Sequence, residues 1–366
     1  MNDKAKNYVV IIVMSVFVLM ISALSLFLPK KDYSGSERRE LSQFPQVSGD
    51  AVLSGKFMED FEEYTLDQFP FRDGIRSVKA YFSQYIFGKK DNNDIYYADG
   101  YLSKLEYPLN EEKIYRATDR FSYVYDKYFS GKDMNIYFSI IPDKNYYLAE
   151  ENGYLSMDYD KLEEIMCENM EFAKYIDIKH LLTLKDYYKT DTHWKQESLI
   201  PVAEKIAEEM GYNLTSQYEE CVLDNSFYGV YYGQSGLKVK PDTIRYYNND
   251  MLDKCYVFDY ESNKEISVYD MEKAYGEDPY EMYLSGPLSL ITIDNPNSKN
   301  DKELIVFRDS FGSSLVPLLV ENYSKITLVD IRYIQSDFLG NFIEFDNQDV
   351  LFLYSTLVLN NSETLK

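Results

Sequence analysis

The feature that most constrains the fold of this chain is a near-continuous apolar run at residues 135–141, which ends at Pro142-Asp143-Lys144-Asn145. A strand of this composition has both faces buried, as in a parallel sheet that is covered on each side. In open α/β sheets, ligands bind beyond the carboxyl ends of the strands. We therefore expect Lys144 and Asn145 at the sheet edge where a functional site would lie.

Strand-like and helix-like segments alternate along most of the chain. Short apolar runs predict strands, and apolar residues at a spacing of three or four predict amphipathic helices. Strands are predicted at residues 135–141, 176–184, 304–307, 325–329 and 350–354. Helices are predicted at residues 110–129, 157–175, 196–210 and 334–342, and directly after Ser310. This order predicts an α/β fold with a mainly parallel, doubly wound sheet.

The segments outside this alternation have a different character. A helix is predicted from Phe57 until Pro70 ends or bends it. A second amphipathic run follows, with apolar residues at Ile75, Val78, Tyr81, Phe82 and Ile86. Residues 91–105 are predicted to form a hairpin with Asp99-Gly100 as its turn. Residues 215–290 are rich in Tyr, Asp and Asn, and predict an irregular β-rich insertion or lid over the site.

The amino-terminal segment predicts a membrane anchor. Residues 8–28 carry no charge and would extend roughly 31 Å as a helix, which is enough to cross a bilayer. Because no convincing small-residue cleavage site follows, we predict an uncleaved signal anchor in the cell membrane, with residues 1–7 as a cytoplasmic tail. Residues 29–56 are predicted to be a polar tether, and residues 57–366 a single extracytoplasmic domain. A cleaved signal peptide is the alternative.

Charge and composition exclude several classes of function. The net charge of -23 argues against a nucleic-acid partner, because phosphates would be repelled. The widely spaced Cys167, Cys221 and Cys255 form no C-x-x-C motif, and with only two histidines they predict no zinc site and no metal. Cys221 and Cys255 would be able to form a disulfide in an oxidising compartment. The 37 tyrosines suit sugars and wet interfaces, or simply fill core and surface.

Rare residues are concentrated at Asp191-Thr192-His193-Trp194. The chain has one tryptophan and two histidines, and Trp194 directly follows His193. An Asp two residues before a His in a non-helical segment is able to accept the imidazole Nδ1–H, which leaves Nε2 available as a base. The same spacing also arises by chance. The other histidine, His180, lies in a strand-like apolar setting that predicts a structural role.

A nucleophile for that base is predicted at Ser310. The strand at residues 304–307 leads into Arg308-Asp309-Ser310-Phe311-Gly312 and then into a helix-like apolar run. Ser310 would thus lie at the carboxyl end of a strand and the start of a helix, where backbone N–H groups are able to receive an oxyanion. The alternative is plain capping chemistry, which is the interpretation we favour for Asp309.

Three motifs together resemble a known family. They are Asp67-Gln-Phe-Pro-Phe-Arg-Asp73, Asp191-Thr-His-Trp194 and Arg308-Asp-Ser-Phe-Gly-Ser-Ser314. In this order they resemble the bacterial DHHW proteins, which are SGNH hydrolase-like and related to the periplasmic alginate O-acetylation proteins. The similarity runs from about residue 36 to the carboxyl end, and Thr192 stands where the family name has its first His. The resemblance implies an SGNH-like three-layer sandwich.

The resemblance also implies a catalytic triad. Ser310 would be the nucleophile, His193 the base and Asp191 the acid that orients the base. The Ser310 backbone N–H is the first candidate for an oxyanion donor, and the side chains of Lys144, Asn145 and Asn295 are further candidates by position. An ordinary surface lysine is the alternative for Lys144.

Two residues near the predicted triad have open roles. Trp194 would either stack on a sugar ring or pack against His193 and fix it. Arg332, which follows the strand at 325–329, would either contact substrate or hold its own loop through an ion pair.

The resemblance implies a membrane-anchored O-acetyltransferase that acts on an extracellular polysaccharide or cell-envelope glycan and needs no cofactor. It further implies a membrane-bound O-acyltransferase partner as the source of acetyl groups. Two alternatives remain: an esterase of the same fold that removes acetyl groups from glycans, and a non-catalytic glycan-binding scaffold. Motifs do not separate transferase from esterase, since the difference is whether a sugar hydroxyl or water reaches the acyl-enzyme.

Overall fold

The structure is a computed structural model that describes residues 3–366. Its strands, in chain order, are β1 (Tyr33–Ser34), β2 (Arg39–Glu40), β3 (Ile95–Ala98), β4 (Tyr101–Lys104), β5 (Ile136–Ile141), β6 (Lys174–Tyr175), β7 (Glu219–Val222), β8 (Arg245–Asn248), β9 (Tyr256–Asp259), β10 (Lys264–Ile266), β11 (Leu290–Asp294), β12 (Glu303–Arg308), β13 (Lys325–Val329) and β14 (Asp349–Ser355).

The α-helices are α1 (Asp3–Phe27), α2 (Gly49–Leu53), α3 (Lys56–Asp67), α4 (Arg72–Tyr81), α5 (Glu111–Val124), α6 (Lys144–Leu148), α7 (Tyr159–Asn169), α8 (Ile200–Glu209), α9 (Val230–Ser235), α10 (Met271–Ala274), α11 (Gly312–Leu315) and α12 (Thr356–Leu359). Single π-helical turns follow α4 and α5, at Phe82–Ile86 and Tyr125–Phe129. Short 3₁₀ helices include Lys179–Leu181, Leu184–Asp186, Gln196–Ser198, Pro279–Met282, Val316–Asn322 and Ser336–Asn341.

The chain divides into two compact units, residues 1–92 with 232–238, and residues 93–231 with 239–366. The first unit holds α1 to α4 and the hairpin of β1 and β2. The second holds the central sheet and its helices. The division that we predict at residue 57 stays a prediction.

Helix α1 contains nearly all of the predicted span at 8–28. It is long and apolar enough to cross a membrane, a test that an amino-terminal signal sequence also passes. Met1 and Asn2, part of the predicted cytoplasmic tail, lie outside the described residues.

The turn between α3 and α4 is held by ion pairs within the first unit. Asp67 accepts two hydrogen bonds from Arg39 and one from the Ser42 backbone N–H. The hydrogen bonds from Arg39 lower the pKa of Asp67 to about 2. Arg72 pairs with Glu37 on the same side of the turn. The 67–73 motif is therefore a structural joint, in which acidic residues fix the start of α4.

The second unit is built on a mixed sheet of eight strands within residues 3–366, in the order β10-β9-β11-β13-β12-β14-β5-β6. The strands from β13 to β6 run parallel, and β11, β9 and β10 continue the sheet in antiparallel pairing. Alternate residues of β12 enter two different cores: Leu304 and Val306 pack on one face, and Ile305 and Phe307 on the other. The predicted α/β fold with a largely parallel sheet between two helical layers is therefore confirmed.

One predicted strand is wrong. Residues 176–184 form no strand; the short β6 ends before them, and they continue into 3₁₀ turns. The reason is turn chemistry, because the Asp177 side chain accepts the Lys179 backbone N–H at 2.9 Å. His180 is consequently exposed rather than in an apolar strand, with its Nδ1 3.4 Å from Asp177 Oδ2.

The predicted insertion is partly a component of the main sheet. Within residues 215–290, β7 and β8 form a separate antiparallel pair, but β9 and β10 extend the central sheet through β11, a strand that we did not predict. The helices predicted after Ser310 and at 334–342 are mostly 3₁₀ in character. After Ser310 the cause is Pro317, which lacks the N–H that an α-helix needs.

Candidate active site

Asp309 shapes the turn that follows β12. Its Oδ1 accepts the Phe311 N–H at 3.0 Å. Its Oδ2 accepts the backbone N–H of Ser355 at 2.8 Å and the Ser355 hydroxyl at 2.6 Å. Since Ser355 ends the neighbouring strand β14, this buried carboxylate ties the turn to the sheet edge. Asp309 is thus the turn residue that the sequence predicts.

The Ser310 backbone N–H is left available by that turn. Neighbouring amides are used internally: Gly312 N–H donates to Asp309 O at 3.1 Å, and Ser313 N–H to Ser310 O at 3.2 Å. Within residues 3–366 the Ser310 N–H has no acceptor. Gly312 is required here, because a β-carbon would lie 2.8 Å from Arg308 Cβ. The geometry therefore provides one backbone donor beside the Ser310 hydroxyl.

His193 connects Ser310 to Asp191. Its Nε2 lies 2.8 Å from Ser310 Oγ, and its Nδ1 lies 2.6 Å from Asp191 Oδ1. A carboxylate accepts but does not donate, so the network assigns the imidazole proton to Nδ1 and leaves Nε2 as the acceptor facing the serine hydroxyl. The structure thus brings together the three residues that the sequence singles out.

Asp191 is fully buried and held by the backbone. Its Oδ1 also accepts the His193 N–H at 3.1 Å, and its Oδ2 accepts the Val230 N–H at 2.8 Å. Gly229 lies so close that a β-carbon there would fall 2.2 Å from Asp191 Cβ. The backbone at the start of α9 and just before it therefore fixes the position of the Asp191 carboxylate.

The imidazole of His193 is fixed between two aromatic rings. Tyr280 stacks on it with 3.8 Å between ring centroids and 8° between planes, and Phe311 contacts it at 4.8 Å. The Tyr280 hydroxyl lies 2.9 Å from Ser314 Oγ, a hydrogen bond that anchors the stacked ring. The imidazole is therefore held in one orientation by packing as well as by Asp191.

Trp194 supports this arrangement from the core. Its side chain is 0% exposed, so it cannot stack on a sugar, and that alternative is wrong. Its Nε1 donates to Phe311 O at 3.1 Å and to Ser314 Oγ at 2.9 Å, and its ring packs edge-on against Phe311. Trp194 thus positions Phe311, which in turn contacts His193.

A cavity of about 210 Å³ opens at Ser310 and His193. It combines a cation, two carboxyl groups, aromatic rings and hydroxyl groups. Its other lining residues are Asp278, Tyr280, Glu281, Tyr283, Gly286, Pro287, Ser313, Arg332 and Tyr333.

Arg332 both lines this cavity and pairs with its own loop. Its Nε lies 2.9 Å from Asp330 Oδ1 and its Nη2 lies 2.6 Å from Asp330 Oδ2. Burial opposes the charge, but the hydrogen bonds to Asp330 raise the pKa of Arg332, so the guanidinium stays charged. The predicted ion pair is present, and it holds the cation at the cavity wall.

Lys144 lies at the carboxyl edge of β5, but its ammonium does not face Ser310. It is buried and donates to the carbonyl oxygens of Leu102, of Tyr188 at 2.9 Å and of Lys189 at 3.5 Å. Burial lowers its pKa to about 7. Lys144 is therefore neither a surface lysine nor an oxyanion donor; it anchors the loop that carries Asp191.

The other two predicted donors are also engaged elsewhere. Asn145 is fully buried and accepts the Tyr96 hydroxyl at 2.9 Å. Asn295 donates through its backbone to Ser324 O at 2.8 Å and through Nδ2 to Val320 O at 3.0 Å. Because β11 runs antiparallel to β13, the end of β11 meets the start of β13, and Asn295 lies at the sheet edge opposite Ser310.

Sequence reasoning missed several residues that build the site. Gly229 and Tyr280 lie in the segment that we expected to be irregular, and no local pattern links them to the triad. Ser313 lines the cavity, and its Oγ is buried without a hydrogen-bond partner among residues 3–366. Its spacing of three from Ser310 was the one available signal. In the same part of the chain no group of three or more His, Cys, Asp or Glu side chains is placed to hold a metal ion.

Fold and site together define an α/β protein with a Ser, His and Asp constellation at the carboxyl edge of its parallel strands. Residues 166–329 match the family model described as DHHW protein, which confirms the resemblance predicted from the motifs. No curated protein sequence matches this chain.

Solved structures with TM-scores near 0.6 share the fold. A DHHW family protein from Eubacterium siraeum has a TM-score of 0.60 at 20% identity, over 75% of this chain and 95% of its own. Bacillus cereus PatB1 with a sulfonyl adduct has a TM-score of 0.58 at 18% identity, over 72% of this chain and 95% of its own. The O-acetyltransferase domain of Pseudomonas putida AlgJ has a TM-score of 0.42 at 13% identity, over 72% and 90% respectively.

Proposed function

We propose that this protein is a membrane-anchored O-acetyltransferase, which carries an acetyl group on Ser310 and passes it to a hydroxyl of an extracellular polysaccharide or cell-envelope glycan. The observation that carries the proposal is the continuous hydrogen-bond path from Ser310 Oγ to His193 Nε2, at 2.8 Å, and from His193 Nδ1 to Asp191 Oδ1, at 2.6 Å. Helix α1 would serve as the anchor.

The first half of the reaction forms an acyl-enzyme. His193 Nε2 takes the hydroxyl proton while Ser310 Oγ attacks the carbonyl carbon of the acetyl donor, and Asp191 stabilises the resulting imidazolium. The oxyanion of the tetrahedral intermediate accepts the Ser310 N–H. When the intermediate collapses, the bond to the leaving group breaks and the leaving group takes the proton from His193.

The second half repeats these steps with a new nucleophile. A sugar hydroxyl gives its proton to His193 as its oxygen attacks the acetyl carbon, and Ser310 leaves with that proton restored. If water attacks instead, the products are acetate and free enzyme. An esterase is therefore the second candidate, and the partial exposure of Ser310 favours it because water is able to reach the acyl group.

The cavity supports a short acyl group. Its volume of about 210 Å³ is below the roughly 300–1,000 Å³ typical of sites for drug-sized ligands, so an acetyl group fits inside while most of a polymeric acceptor stays outside. Among the tyrosines that line the cavity, Tyr280 and Tyr283 are buried, but Tyr333 is 51% exposed and offers a flat apolar face with a polar tip, which suits a sugar ring.

A structural relative suggests a reagent that would probe Ser310. PatB1 has been solved with a sulfonyl adduct. Sulfonylating reagents react with activated nucleophiles, and we expect Ser310 of this chain to react in the same way. The acetyl donor, in our proposal, is a membrane-bound O-acyltransferase in the same bilayer.

The test uses the full-length chain in detergent with a chromogenic acetyl ester and a short sugar oligomer. We expect ester cleavage that is lost in Ser310→Ala and His193→Ala, while the matched controls Ser298→Ala and His180→Ala keep it. Acetylated sugar detected by mass spectrometry supports transfer, and cleavage without acetylated sugar supports the esterase. An enzyme whose cleavage survives Ser310→Ala contradicts both candidates.

A further inference from the structure

An apolar stripe runs along α4 and the π-helical turn that follows it. We define the α4 stripe as the side chains of Phe71, Ile75, Val78, Phe82, Tyr85 and Ile86. They recur at intervals of three and four, so they lie on one side of the helix. Each is between 47% and 69% exposed. Six exposed apolar side chains on one side of a helix indicate an interaction surface.

The opposite side of the same helix is packed. Ala80 is fully buried, and Ser83 is buried with it. Arg76 Nη2 donates to Gly233 O at 2.9 Å, and Arg76 also pairs with Glu37. The inward side of α4 is therefore already used by its own unit, and the stripe remains on the outside.

The stripe begins beside the end of helix α1. Lys31, four residues after α1 ends, donates its backbone N–H to Gln68 Oε1 at 3.0 Å, and Gln68 Nε2 donates back to Lys31 O at 2.8 Å. The ammonium of Lys30 lies 5.2 Å from the ring centre of Tyr64. Gln68 precedes α4 by four residues, and Lys31 follows α1 by four residues. These hydrogen bonds therefore hold the start of the stripe close to the end of α1, where α1 would leave a bilayer.

The charge of this segment is opposite to that of the chain. Residues 71–90 contain five basic and one acidic side chain, a net charge of +4, in a protein whose net charge is -23. Lys79, Lys89 and Lys90 are exposed. An exposed apolar side with aromatic rings, flanked by basic residues, is the composition of helices that lie in a membrane interface.

We propose that the α4 stripe docks on the lipid surface at which α1 emerges, with its apolar side chains at the boundary between headgroups and acyl chains and its lysines facing anionic headgroups. This inference rests on the proposed anchoring by α1. A lipid surface is favoured over a protein partner because Lys31 and Gln68 hold the stripe at the membrane exit and because its basic charge matches anionic phospholipids.

The experiment reconstitutes the full-length chain in phosphatidylcholine and phosphatidylglycerol vesicles with brominated acyl chains, which quench nearby tryptophan fluorescence. The wild type contributes only the buried Trp194 as background. Phe82→Trp places a reporter on the stripe, and Phe338→Trp is the matched control at another exposed phenylalanine. Flotation of the vesicles reports anchoring separately.

We expect the Phe82→Trp chain to lose fluorescence in brominated vesicles, while the wild type and Phe338→Trp do not. If the chain floats but Phe82→Trp is quenched no more than Phe338→Trp, the stripe does not dock on lipid. The proposed anchor is unaffected by that result. A chain that does not float overturns the proposed anchor. The Phe82→Trp reporter is also exposed to an aqueous quencher. If it is shielded in native membranes but not in vesicles that contain no other protein, the stripe binds a membrane protein and the lipid assignment is overturned.

The contribution of charge is tested on the same reporter. Replacement of Lys79, Lys89 and Lys90 by Glu is expected to reduce quenching in vesicles with phosphatidylglycerol more than in pure phosphatidylcholine. If quenching is the same in the two kinds of vesicle, and is unchanged by the three replacements, the lysines do not face anionic headgroups.

Discussion

The backbone of Gly229 lies directly against Asp191, with no room for a β-carbon between them. These residues are far apart in sequence, and the contact sets the position of the carboxylate that orients His193. The adjacent Val230 N–H donates to the same carboxylate at 2.8 Å. The proposed catalytic geometry therefore depends on a loop that contributes no reacting group.

Gly229→Ala is expected to lower kcat by about 100-fold, because Asp191 must move and small displacements of a catalytic group have effects of that size. The measurement is ester turnover together with thermal unfolding. Gly35→Ala is the matched control, since a β-carbon there meets nothing within 4 Å. A Gly229→Ala enzyme with unchanged kcat contradicts the positioning role.

Lys144→Met is expected to destabilise the fold and to reduce activity. The ammonium satisfies the carbonyl oxygens of Leu102 and Tyr188, and buried acceptors left without a donor cost about 1–3 kcal/mol each, whereas Lys189 O keeps the Leu102 N–H at 2.8 Å. We expect a loss of roughly 3 kcal/mol in denaturant unfolding and a lower kcat, because the same loop carries Asp191. Lys185→Met, at an exposed position nearby, should be neutral.

Glu197 should make stability depend on pH. Burial raises the pKa of its carboxyl to about 7 from 4.5, and its Oε2 has no hydrogen-bond partner within residues 3–366. The folded chain then binds more protons than the unfolded chain between these pH values, so stability falls as pH rises through that window. The free energy of unfolding should fall by about 2 kcal/mol across this window in the wild type, and this fall should be absent in Glu197→Gln. Unfolding from pH 4 to 8 measures it, with Glu204→Gln as the exposed control.

Ser313→Ala should separate stability from activity. The buried hydroxyl has no partner within residues 3–366 and lines the cavity, so its removal should leave the unfolding temperature unchanged or higher. We expect kcat/KM to fall about tenfold, because the hydroxyl would donate to the acyl oxygen. Ser314→Ala, which loses bonds to Trp194 and Tyr280, should unfold earlier. Unaltered kinetics for Ser313→Ala would remove Ser313 from the proposed site.

The sequence was sufficient for those parts of the site that depend on local order. Ser310 follows an apolar strand, and Asp191 and His193 are two residues apart, so strand order and side-chain chemistry place them at one sheet edge. Lys144 was likewise predicted at the correct edge of β5. The direction of its side chain was not predictable, because its acceptors are carbonyl groups from distant segments.

The failures come from strand direction and from long-range packing. Asn295 follows β11, whose antiparallel course reverses the edge at which its end lies, and nothing in a five-residue apolar strand encodes that direction. Residues 176–184 became turns because the Asp177 side chain competes for backbone hydrogen bonds. The stacking of Tyr280 on His193 depends on tertiary packing alone.

Strand β14 lies in the interior of the sheet, between β12 and β5, although it is formed by residues 349–355. During synthesis, β5 and β12 therefore wait with unpaired edges until residue 355 has left the ribosome, and such exposed edges favour aggregation. Asp309 also lacks its partner Ser355 until that moment. We therefore expect the nascent chain to be prone to aggregation until β14 is inserted, and Ser310 to reach the geometry described above only at that moment.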